Sequence, residues 1–298
     1  MFHQTPHPDS LRRRSQDQLL APETRMGAVE LLVGDLDAMI RFYHEAVLLD
    51  VLEHTGNTAV LGLHGRTLMI LRQTRGLPAP ARDQAGLFHT AILFDTPAEL
   101  SASVMSIAQR FPGAFTGSAD HLYSEAFYFD DPEGNGVELY TDRPRESWIR
   151  EENGLYALAT DPLDPNAYLR GHFDESVTAP AGTLGHVHLQ VGDIPTARRF
   201  YSEILGFEVT GEIRSALFVS AGGYHHHMAL NTFNSLGAPA RAASLGLGLV
   251  DIDVPHDDAV AAVRERLADH RISSRHDGRT LSFEDPWNTT IRLKVAED

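Results

Sequence analysis

The feature that most constrains this 298-residue chain is an internal repeat. The segment 27–43, GAVELLVGDLDAMIRFY, returns as 185–201, GHVHLQVGDIPTARRFY, at a constant offset of 158 residues and without a gap. A long fixed repeat indicates copies of one supersecondary unit, because each unit buries its hydrophobic face against its neighbours. The chain is therefore predicted to consist of repeated modules.

Each copy of the repeat is predicted to contain a strand, a helix and further short strands. In the first copy, residues 29–33 favour a strand, Asp35 is a suitable N-cap, and apolar residues then recur at helical spacing. Short strands are expected at 58–63 and 67–71. The second copy repeats this pattern, with Asp193 as the N-cap and strands at 187–191, 216–220 and 226–230.

A second type of unit follows each copy. Its first example has a strand at 88–94, a helix at 97–110 and strands at 126–130 and 137–140, and its second has a strand at 247–254, a helix at 257–270 and a strand at 290–295. This indicates four βαβββ modules in two pairs, expected as domains at 27–144 and 183–296. A proline-containing linker covers 145–182, and the polar residues 1–25 are predicted to be a mobile tail.

Charge and composition argue against several classes of protein. The formal net charge of −16 disfavours nucleic acid and anionic membranes as partners. No run of 18 apolar residues occurs, and no apolar segment follows Arg12–Arg14, so neither a spanning helix nor a secretion signal is expected and a cytoplasmic location is predicted. With no cysteine, a metal site would have to use His, Asp, Glu or backbone oxygen atoms.

Several short motifs carry a family resemblance. Phe42-Tyr43, Leu205-Gly206-Phe207 and the turn Asp131-Pro132-Glu133-Gly134-Asn135 resemble those of the vicinal oxygen chelate superfamily, which includes glyoxalases, bleomycin-resistance proteins and extradiol dioxygenases. The resemblance covers nearly the whole chain after residue 25. It implies an α+β fold in which four βαβββ modules form two cup-shaped mixed β-sheets flanked by helices.

A narrower resemblance is to the bacterial two-domain catechol 2,3-dioxygenases. Those enzymes place one metal-binding His on the first strand of one module, and a second His and a Glu on the first and last strands of the partner module. His186 within Gly185-His186, His89 within Phe88-His89-Thr90-Ala91 and Glu138 within Gly136-Val137-Glu138-Leu139-Tyr140 fit those places. The resemblance therefore implies that His89, Glu138 and His186 are the metal ligands.

The same resemblance implies three further site residues. An acid–base His in a His-x-x-Ala-Leu context corresponds to His226, and His227 is the fallback. Strand alternation is expected to send His226 to the face opposite His225 and His227. A Tyr ten residues before the ligand Glu corresponds to Tyr128, and His121 stands where relatives often have a substrate-facing His.

The distribution of the ligands departs from the family pattern. In the better-known relatives the ligands lie in modules three and four, whereas here module four has Arg292 at the position of Glu138 and a position near Leu247 at that of His89. Module one has Ala28 where module three has His186. Modules two and three are therefore predicted to pair in one cup, and modules one and four in a cup without metal. The alternative is that each half of the chain pairs internally.

Two histidines and one carboxylate leave three coordination positions open on iron(II), for the two oxygens of a catechol and for O₂. The predicted function is extradiol ring cleavage with Fe(II); Mn(II) fits the same ligands, and open sheet edges are compatible with a homo-oligomer. One alternative is a glyoxalase-like isomerase, which the absence of a Glu on the last strand of module three disfavours. The other is a metal-free binding or resistance protein, which the presence of the three ligands disfavours.

Overall fold

The computed structural model describes residues 1–4 and 6–296 of the chain. The predicted α+β fold with four βαβββ modules is confirmed. Module one comprises β1 (Arg25–Val33), α1 (Leu36–Ile40), β2 (Asp50–Thr55), β3 (Thr58–Leu63) and β4 (Arg66–Gln73). Module two comprises β5 (Gly86–Phe94), α2 (Pro97–Arg110), β6 (Phe115–Asp120), β7 (Ser124–Asp130) and β8 (Gly136–Asp142).

The linker carries a two-residue strand and a helix, and two further modules follow it. The linker elements are β9 (Asp161–Pro162) and α3 (Pro165–His172). Module three comprises β10 (Gly182–Gln190), α4 (Ile194–Ala197), β11 (Glu208–Ile213), β12 (Ala216–Ser220) and β13 (Met228–Asn231). Module four comprises β14 (Gly246–Val254), α5 (Asp257–Asp269), β15 (Ser274–His276), β16 (Thr280–Glu284) and β17 (Thr290–Val295).

The repeated segment produces the same local structure in modules one and three. Oδ1 of Asp35 accepts a hydrogen bond of 2.9 Å from the backbone N–H of Ala38, and Oδ1 of Asp193 accepts one of 2.8 Å from Thr196. Each aspartate satisfies a backbone donor that the first helical turn leaves free. Helices α1 and α4 then widen into π-helical segments, Arg41–Ala46 and Arg198–Ile204.

The strands form two mixed sheets, and each sheet combines strands that precede the linker with strands that follow it. The eight-stranded sheet has the order β15-β16-β17-β14-β1-β4-β3-β2, and the nine-stranded sheet has the order β11-β12-β13-β10-β5-β8-β7-β6-β9. β1 pairs antiparallel with β14, and β10 pairs antiparallel with β5. Modules one and four thus share one sheet and modules two and three share the other. The predicted pairing is confirmed, and the alternative of internal pairing within each half is wrong.

Two equivalent hydrogen bonds connect the sheets. The hydroxyl of Tyr43 donates to Oδ2 of Asp131 at 3.0 Å, and the hydroxyl of Tyr201 donates to Oδ2 of Asp285 at 2.8 Å. Both tyrosines come from the repeated Phe-Tyr motif and both aspartates from the Asp-Pro turns. Burial raises the pKa of Asp131 to about 6. These motifs therefore join module one to module two, and module three to module four.

The N-terminal segment, expected to be a mobile tail, packs on the linker and on module three. The Gln4 side-chain amide donates to the carbonyl oxygen of Tyr156 at 2.7 Å and accepts from the backbone N–H of Glu212 at 2.8 Å. The Arg14 guanidinium donates to the carbonyl oxygens of Ser202 and Phe207. These contacts could not be predicted from the polar composition of the segment. A single amide or guanidinium can satisfy buried backbone groups, and such a residue looks like any surface residue in the sequence. Within the described residues, no helix is both long and apolar enough to cross a membrane.

Candidate metal centre

The sheet register brings side chains from three strands to one place. Glu138 on β8 lies opposite Ala91 on β5, and Ala91 lies opposite His186 on β10. Paired residues point to the same face of a sheet, so Glu138 and His186 flank a single methyl group. His89, two residues before Ala91, shares that face and lies opposite Gly136. The small residues at positions 91 and 136 leave space in which the longer side chains converge.

Gly136 is required at its position by close approach of the neighbouring strand. A Cβ atom there would lie 2.2 Å from the carbonyl oxygen of Phe88 and 3.0 Å from Cβ of His89. Any side chain would therefore displace β5, and His89 with it. The glycine that precedes the ligand-bearing part of β8 thus helps to position a residue on a different strand.

The structure brings the three predicted ligands together within one chain. Oε2 of Glu138 lies 2.9 Å from Nε2 of His89 and 3.3 Å from Nε2 of His186. One nitrogen or oxygen atom from each residue lies within 4.8 Å of the other two, and all three residues are buried. These distances meet the geometric requirement set by the sequence. That the three residues hold a metal stays a prediction.

The hydrogen bonding of His89 and the pKa shifts of His186 and Glu138 fit a divalent metal. Nε2 of His89 is buried and has no hydrogen-bond partner among the described residues. Burial lowers the pKa of His186 to about 4, so its imidazole is neutral at pH 7. Burial alone would raise the pKa of Glu138, but the imidazoles of His186 and His89 hold it well below its ordinary value. Neutral imidazoles and an ionised carboxylate are the forms that bind metal ions.

Tyr128 and His121 form a hydrogen-bonded pair beside the ligands. Tyr128 lies directly opposite Glu138 in the β7–β8 hairpin, and this register explains their ten-residue spacing. The Tyr128 hydroxyl donates to Nε2 of His121 at 2.6 Å, and Nδ1 of His121 donates to the carbonyl oxygen of Ala159 at 2.7 Å. Burial and the charge of Glu138 raise the pKa of Tyr128 well above its ordinary value. Both ring nitrogens of His121 form hydrogen bonds, so His121 would influence a molecule bound in the site chiefly through Tyr128.

The histidine tract 225–227 does not alternate as predicted. Strand β13 begins at Met228, and the tract follows a turn in which Gly222 and Gly223 have φ of 61° and 68°. Nδ1 of His225 and Nδ1 of His226 lie 2.8 Å apart, so these side chains meet instead of facing opposite sides. The expectation of opposite faces for this pair is wrong, because strand alternation applies only to extended backbone.

His226 and His227 have different surroundings. The ring of His226 lies 4.2 Å from that of His186, centroid to centroid, and lines the cavity beside the ligands. Burial and the neighbouring imidazoles lower the pKa of His226 well below its ordinary value. Nδ1 of His227 instead accepts hydrogen bonds from the hydroxyl of Ser220 and the backbone N–H of Ala221, at 2.9 and 3.2 Å. This position favours His226 for the acid–base role, which stays a prediction.

A cavity of about 220 Å³ opens onto His89, Glu138 and His186. Its polar end also carries Tyr128, His121, His226 and His188, and the remainder is largely aromatic and aliphatic. His188 lies two residues after His186 on β10 and therefore shares its face of the sheet. Its Nε2 accepts a hydrogen bond of 2.9 Å from the side-chain amide of Asn231. The apolar lining residues could not be assigned to the cavity from the sequence, because isolated aromatic residues have the same pattern as ordinary core residues.

The equivalent positions in the other sheet carry ion pairs. Arg292 binds Asp251 through both oxygens, at 2.6 and 2.7 Å, and Arg72 binds Glu30 at 2.7 Å. Leu249 pairs with Thr290 as His89 pairs with Gly136, so Leu249 is the counterpart of His89. The predicted counterpart near Leu247 is therefore displaced by two residues. Strand register thus aligns modules two and four at positions where their sequences have diverged.

Comparisons with known proteins agree with this architecture. The sequence profile of the Glyoxalase/Bleomycin resistance protein/Dioxygenase superfamily matches residues 25–139 and 183–293. The chain is 35% identical over 271 residues to the catechol-2,3-dioxygenase of Bacillus subtilis (strain 168), covering 89% of this chain and 94% of that protein.

Solved structures show the same fold. A dioxygenase candidate from Bacillus subtilis superposes with a TM-score of 0.65 at 13% identity, covering 94% of this chain and 87% of that one. Glyoxalase I from Zea mays superposes with a TM-score of 0.58 at 18% identity, covering 92% of each chain. The matched segments include all four modules. The chain belongs to the Glyoxalase/Bleomycin resistance protein/Dioxygenase superfamily.

Proposed function

We propose that this protein is an extradiol dioxygenase that opens a catechol-type ring at an iron(II) ion held by His89, Glu138 and His186. The observation that carries the proposal is the convergence of these buried side chains from three strands at one end of a cavity. The 35% identity to a catechol-2,3-dioxygenase over most of both chains supports the reaction class. The ring itself supplies the electrons that reduce O₂, so no further reductant is needed.

The ligand set determines what the bound ion would contribute. An iron(II) ion with two imidazoles and one carboxylate on one face would keep positions open for both catechol oxygens and for O₂, and would pass electron density from the ring to O₂. Manganese(II) shares these preferences and is the alternative metal. The protein side chains provide the fixed donor atoms and a largely apolar wall that excludes water from the ring.

Proton transfer falls to His226 in this proposal. Its ring contacts that of His186 and lines the cavity, so a diol bound beside the ligands would lie next to it. The neutral imidazole can accept a hydroxyl proton from the substrate and return it to the opened ring. Tyr128, whose hydroxyl hydrogen is donated to His121, is the second polar group at that end and would accept a hydrogen bond from a hydroxyl of the substrate.

The two alternative functions fit the site less well. A glyoxalase-like isomerase would use a second carboxylate ligand, and β13, the last strand of module three, carries only Met228, Ala229, Leu230 and Asn231. A metal-free binding or resistance protein would have no use for two buried histidines converging on a buried glutamate. A cytoplasmic location and a homo-oligomeric state remain predictions.

The reaction can be tested with protein purified without oxygen. Supplied with Fe(II), catechol and air, it should consume O₂ and accumulate a yellow ring-opened semialdehyde in equal amounts. Oxygen uptake without a yellow product would indicate another oxidation. Failure to turn over any catechol with iron restored would rule out the proposal.

A further inference from the structure

A chain of hydrogen bonds leads from the protein surface to the ring of His226. Nε2 of His225 lies 2.9 Å from Oδ1 of Asp142, and Nδ1 of His225 lies 2.8 Å from Nδ1 of His226. The His225 side chain is fully buried, whereas the Asp142 side chain is 21% exposed. Asp142 ends β8, the strand that carries Glu138. The series therefore joins a surface carboxylate to the residue proposed to move protons.

With Asp142 ionised and His225 and His226 neutral, donor and acceptor chemistry fixes the direction of every hydrogen bond in this series. An ionised carboxylate only accepts, so Nε2 of His225 carries a hydrogen and donates it to Asp142. In a neutral imidazole the other nitrogen is then an acceptor, so Nδ1 of His225 accepts from Nδ1 of His226. The hydrogen of neutral His226 thus sits on Nδ1. Its Nε2 then keeps a free lone pair, on a ring that lines the cavity beside His186.

We propose that Asp142 and His225 are positioning residues that hold His226 in the Nδ1–H tautomer, with Nε2 available as a base toward the cavity. The inference rests on the proposed function for its catalytic consequence, but the tautomer is a property of this chain alone. Without the pair, neutral imidazole could carry its hydrogen on either nitrogen. The Nε2–H form could not accept a substrate proton at that atom.

Aromatic rings fix the orientation of His225. Tyr123 stacks on its ring with centroids 4.4 Å apart and an interplanar angle of 14°, and Tyr224 packs against it at 4.1 Å. Trp148 contacts it edge-on at 5.2 Å. These contacts restrict rotation of the imidazole, so that its two nitrogens face Asp142 and His226. A histidine used only to fill space would not need both nitrogens engaged.

Tautomers can be read by nitrogen NMR of histidine-labelled, full-length protein loaded with diamagnetic zinc(II). In the wild type, His226 should show a protonated Nδ1 and an unprotonated Nε2. Asp142→Asn offers an amide donor that can reverse both hydrogen bonds, as happens when the triad aspartate of a serine protease is replaced by Asn. The Nε2–H form of His226 should then appear. An unchanged tautomer in Asp142→Asn would overturn the proposal.

Two substitutions of His225 separate hydrogen bonding from packing. His225→Asn keeps an acceptor near the position of Nδ1, whereas His225→Leu keeps bulk without an acceptor. With Fe(II) and catechol, His225→Leu should lower kcat by about 10²-fold and His225→Asn by clearly less, with metal content unchanged in both. Equal losses would show that the ring only packs. Lack of turnover in the wild type would defeat the proposed function but leave the tautomer measurement valid.

The lining of the cavity carries a second, independent inference about the substrate. Away from the metal-binding end the wall is largely apolar, although Ser124 and Thr160 also line the cavity, and among the described residues neither Arg nor Lys lines it. The apolar wall consists of Phe2, Phe88, Leu158, Ile213, Phe218 and Phe233. A charged ring substituent would lose its hydration there without gaining a partner of opposite charge.

We infer that the ring substituent of the substrate is uncharged and apolar. Phe2 belongs to this wall because its backbone N–H donates to the carbonyl oxygen of Leu158 at 2.7 Å, which holds the N-terminus at the cavity. The residue that composition assigned to a mobile tail thus contributes to specificity. This inference deepens the proposed function, since it names the class of catechol.

Anaerobic calorimetry with iron(II)-loaded protein tests this inference without relying on turnover. 4-Methylcatechol should bind at least about 100-fold more tightly than 3,4-dihydroxybenzoate. Phe2→Ala should weaken the binding of 4-methylcatechol more than that of catechol, whereas Phe173→Ala, an exposed phenylalanine outside the cavity lining, should change neither. Equal affinity for the carboxylated and methylated rings would overturn the inference. Binding of 4-methylcatechol without turnover would instead count against the proposed function.

Discussion

Nε2 of His89 lies 2.9 Å from Oε2 of Glu138 without forming a hydrogen bond with it. A hydrogen-bonded imidazole would direct its N–H along the line to the oxygen, and the ring of His89 does not. Nε2 of His186 lies 3.3 Å from the same oxygen. Two imidazole nitrogens close to one carboxylate oxygen, with one of the nitrogens unsatisfied, fit the proposed set of metal ligands.

Removal of any one of the three proposed ligands should abolish metal retention. His89→Ala, Glu138→Ala and His186→Ala should each lower the affinity for Fe(II) by more than about 100-fold, which exceeds the loss typical of residues that only support a ligand. Metal content after anaerobic dialysis measures this. Glu30→Gln, a buried carboxylate on the equivalent first strand of module one, is the control and should leave metal content unchanged. Full retention of iron by Glu138→Ala would exclude Glu138 as a ligand.

Substitution of His226 should separate proton transfer from metal binding. His226→Ala should keep iron and lower kcat by about 10²–10⁴-fold, the usual contribution of a general acid–base group. Metal analysis and turnover of catechol are measured on the same sample. His227→Gln, at a histidine whose Nδ1 bonds to Ser220 and Ala221, should lose far less activity. Loss of iron on His226→Ala would make His226 a ligand instead.

Tyr128 and His121 should act as one unit. Tyr128→Phe removes the hydroxyl that donates to His121 at 2.6 Å and should lower kcat/KM by about 10-fold with metal retained. Residues within one hydrogen-bonded network give non-additive effects. The double variant Tyr128→Phe with His121→Leu should therefore have a kcat/KM no lower than that of the less active single variant. Fully additive losses would show that the two residues act separately.

The ion pair that stands in the place of the metal ligands should matter for stability only. Asp251 has a side chain 1% exposed and binds Arg292. Among the described residues, Arg292→Met would leave this buried carboxylate with Lys294 as its one cationic partner, 3.7 Å away. The free energy of unfolding in urea should fall by about 2–3 kcal/mol, less than the about 3–5 kcal/mol usual for a fully buried pair, because Arg292 is itself one-third exposed. Adding Asp251→Asn should recover most of the loss. Loss of iron binding in Arg292→Met would contradict separate roles for the two sheets.

The buried neutral His227 should make the fold acid-sensitive. Its pKa is lowered to about 3, mainly by burial, from an ordinary value of 6.5. Since the folded state disfavours the proton, the contribution to stability is complete above pH 6.5 and is lost as pH falls toward 3. Between pH 6.5 and pH 5.5, one such histidine lowers the free energy of unfolding by about 1 kcal/mol. Urea unfolding at the two pH values should show a smaller difference for His227→Gln, whereas the exposed-site variant His54→Gln should match the wild type.

The repeat allowed the fold to be predicted because both copies keep the residues that set local structure. Asp35 and Asp193 cap equivalent helices, and strands 58–63, 216–220 and 290–295 lie where the periodicity placed them. The pairing of modules two with three followed from the ligands alone, since neither half of the chain carries all three. Where the copies have diverged, sequence alignment placed the counterpart of His89 two residues away from its position in the sheet.

Other features depend on contacts that no local pattern records. The turn at Gly222 and Gly223 delays β13 to Met228, and this brings His225 against His226. The N-terminus is anchored by single polar groups such as Gln4, which resemble any surface residue in sequence. The place of Phe2 in the cavity wall follows from that anchoring, so it could be found only once the chain was folded.

The most direct test of the account is titration of the metal-free protein with Fe(II) under anaerobic conditions, with catechol turnover measured after each addition. Because His89, Glu138 and His186 form a single composite site shared by modules two and three, activity should rise linearly and level off at about one Fe(II) per chain. A plateau at about two ions per chain, full activity with stoichiometric zinc(II), or no turnover at any iron concentration would contradict it.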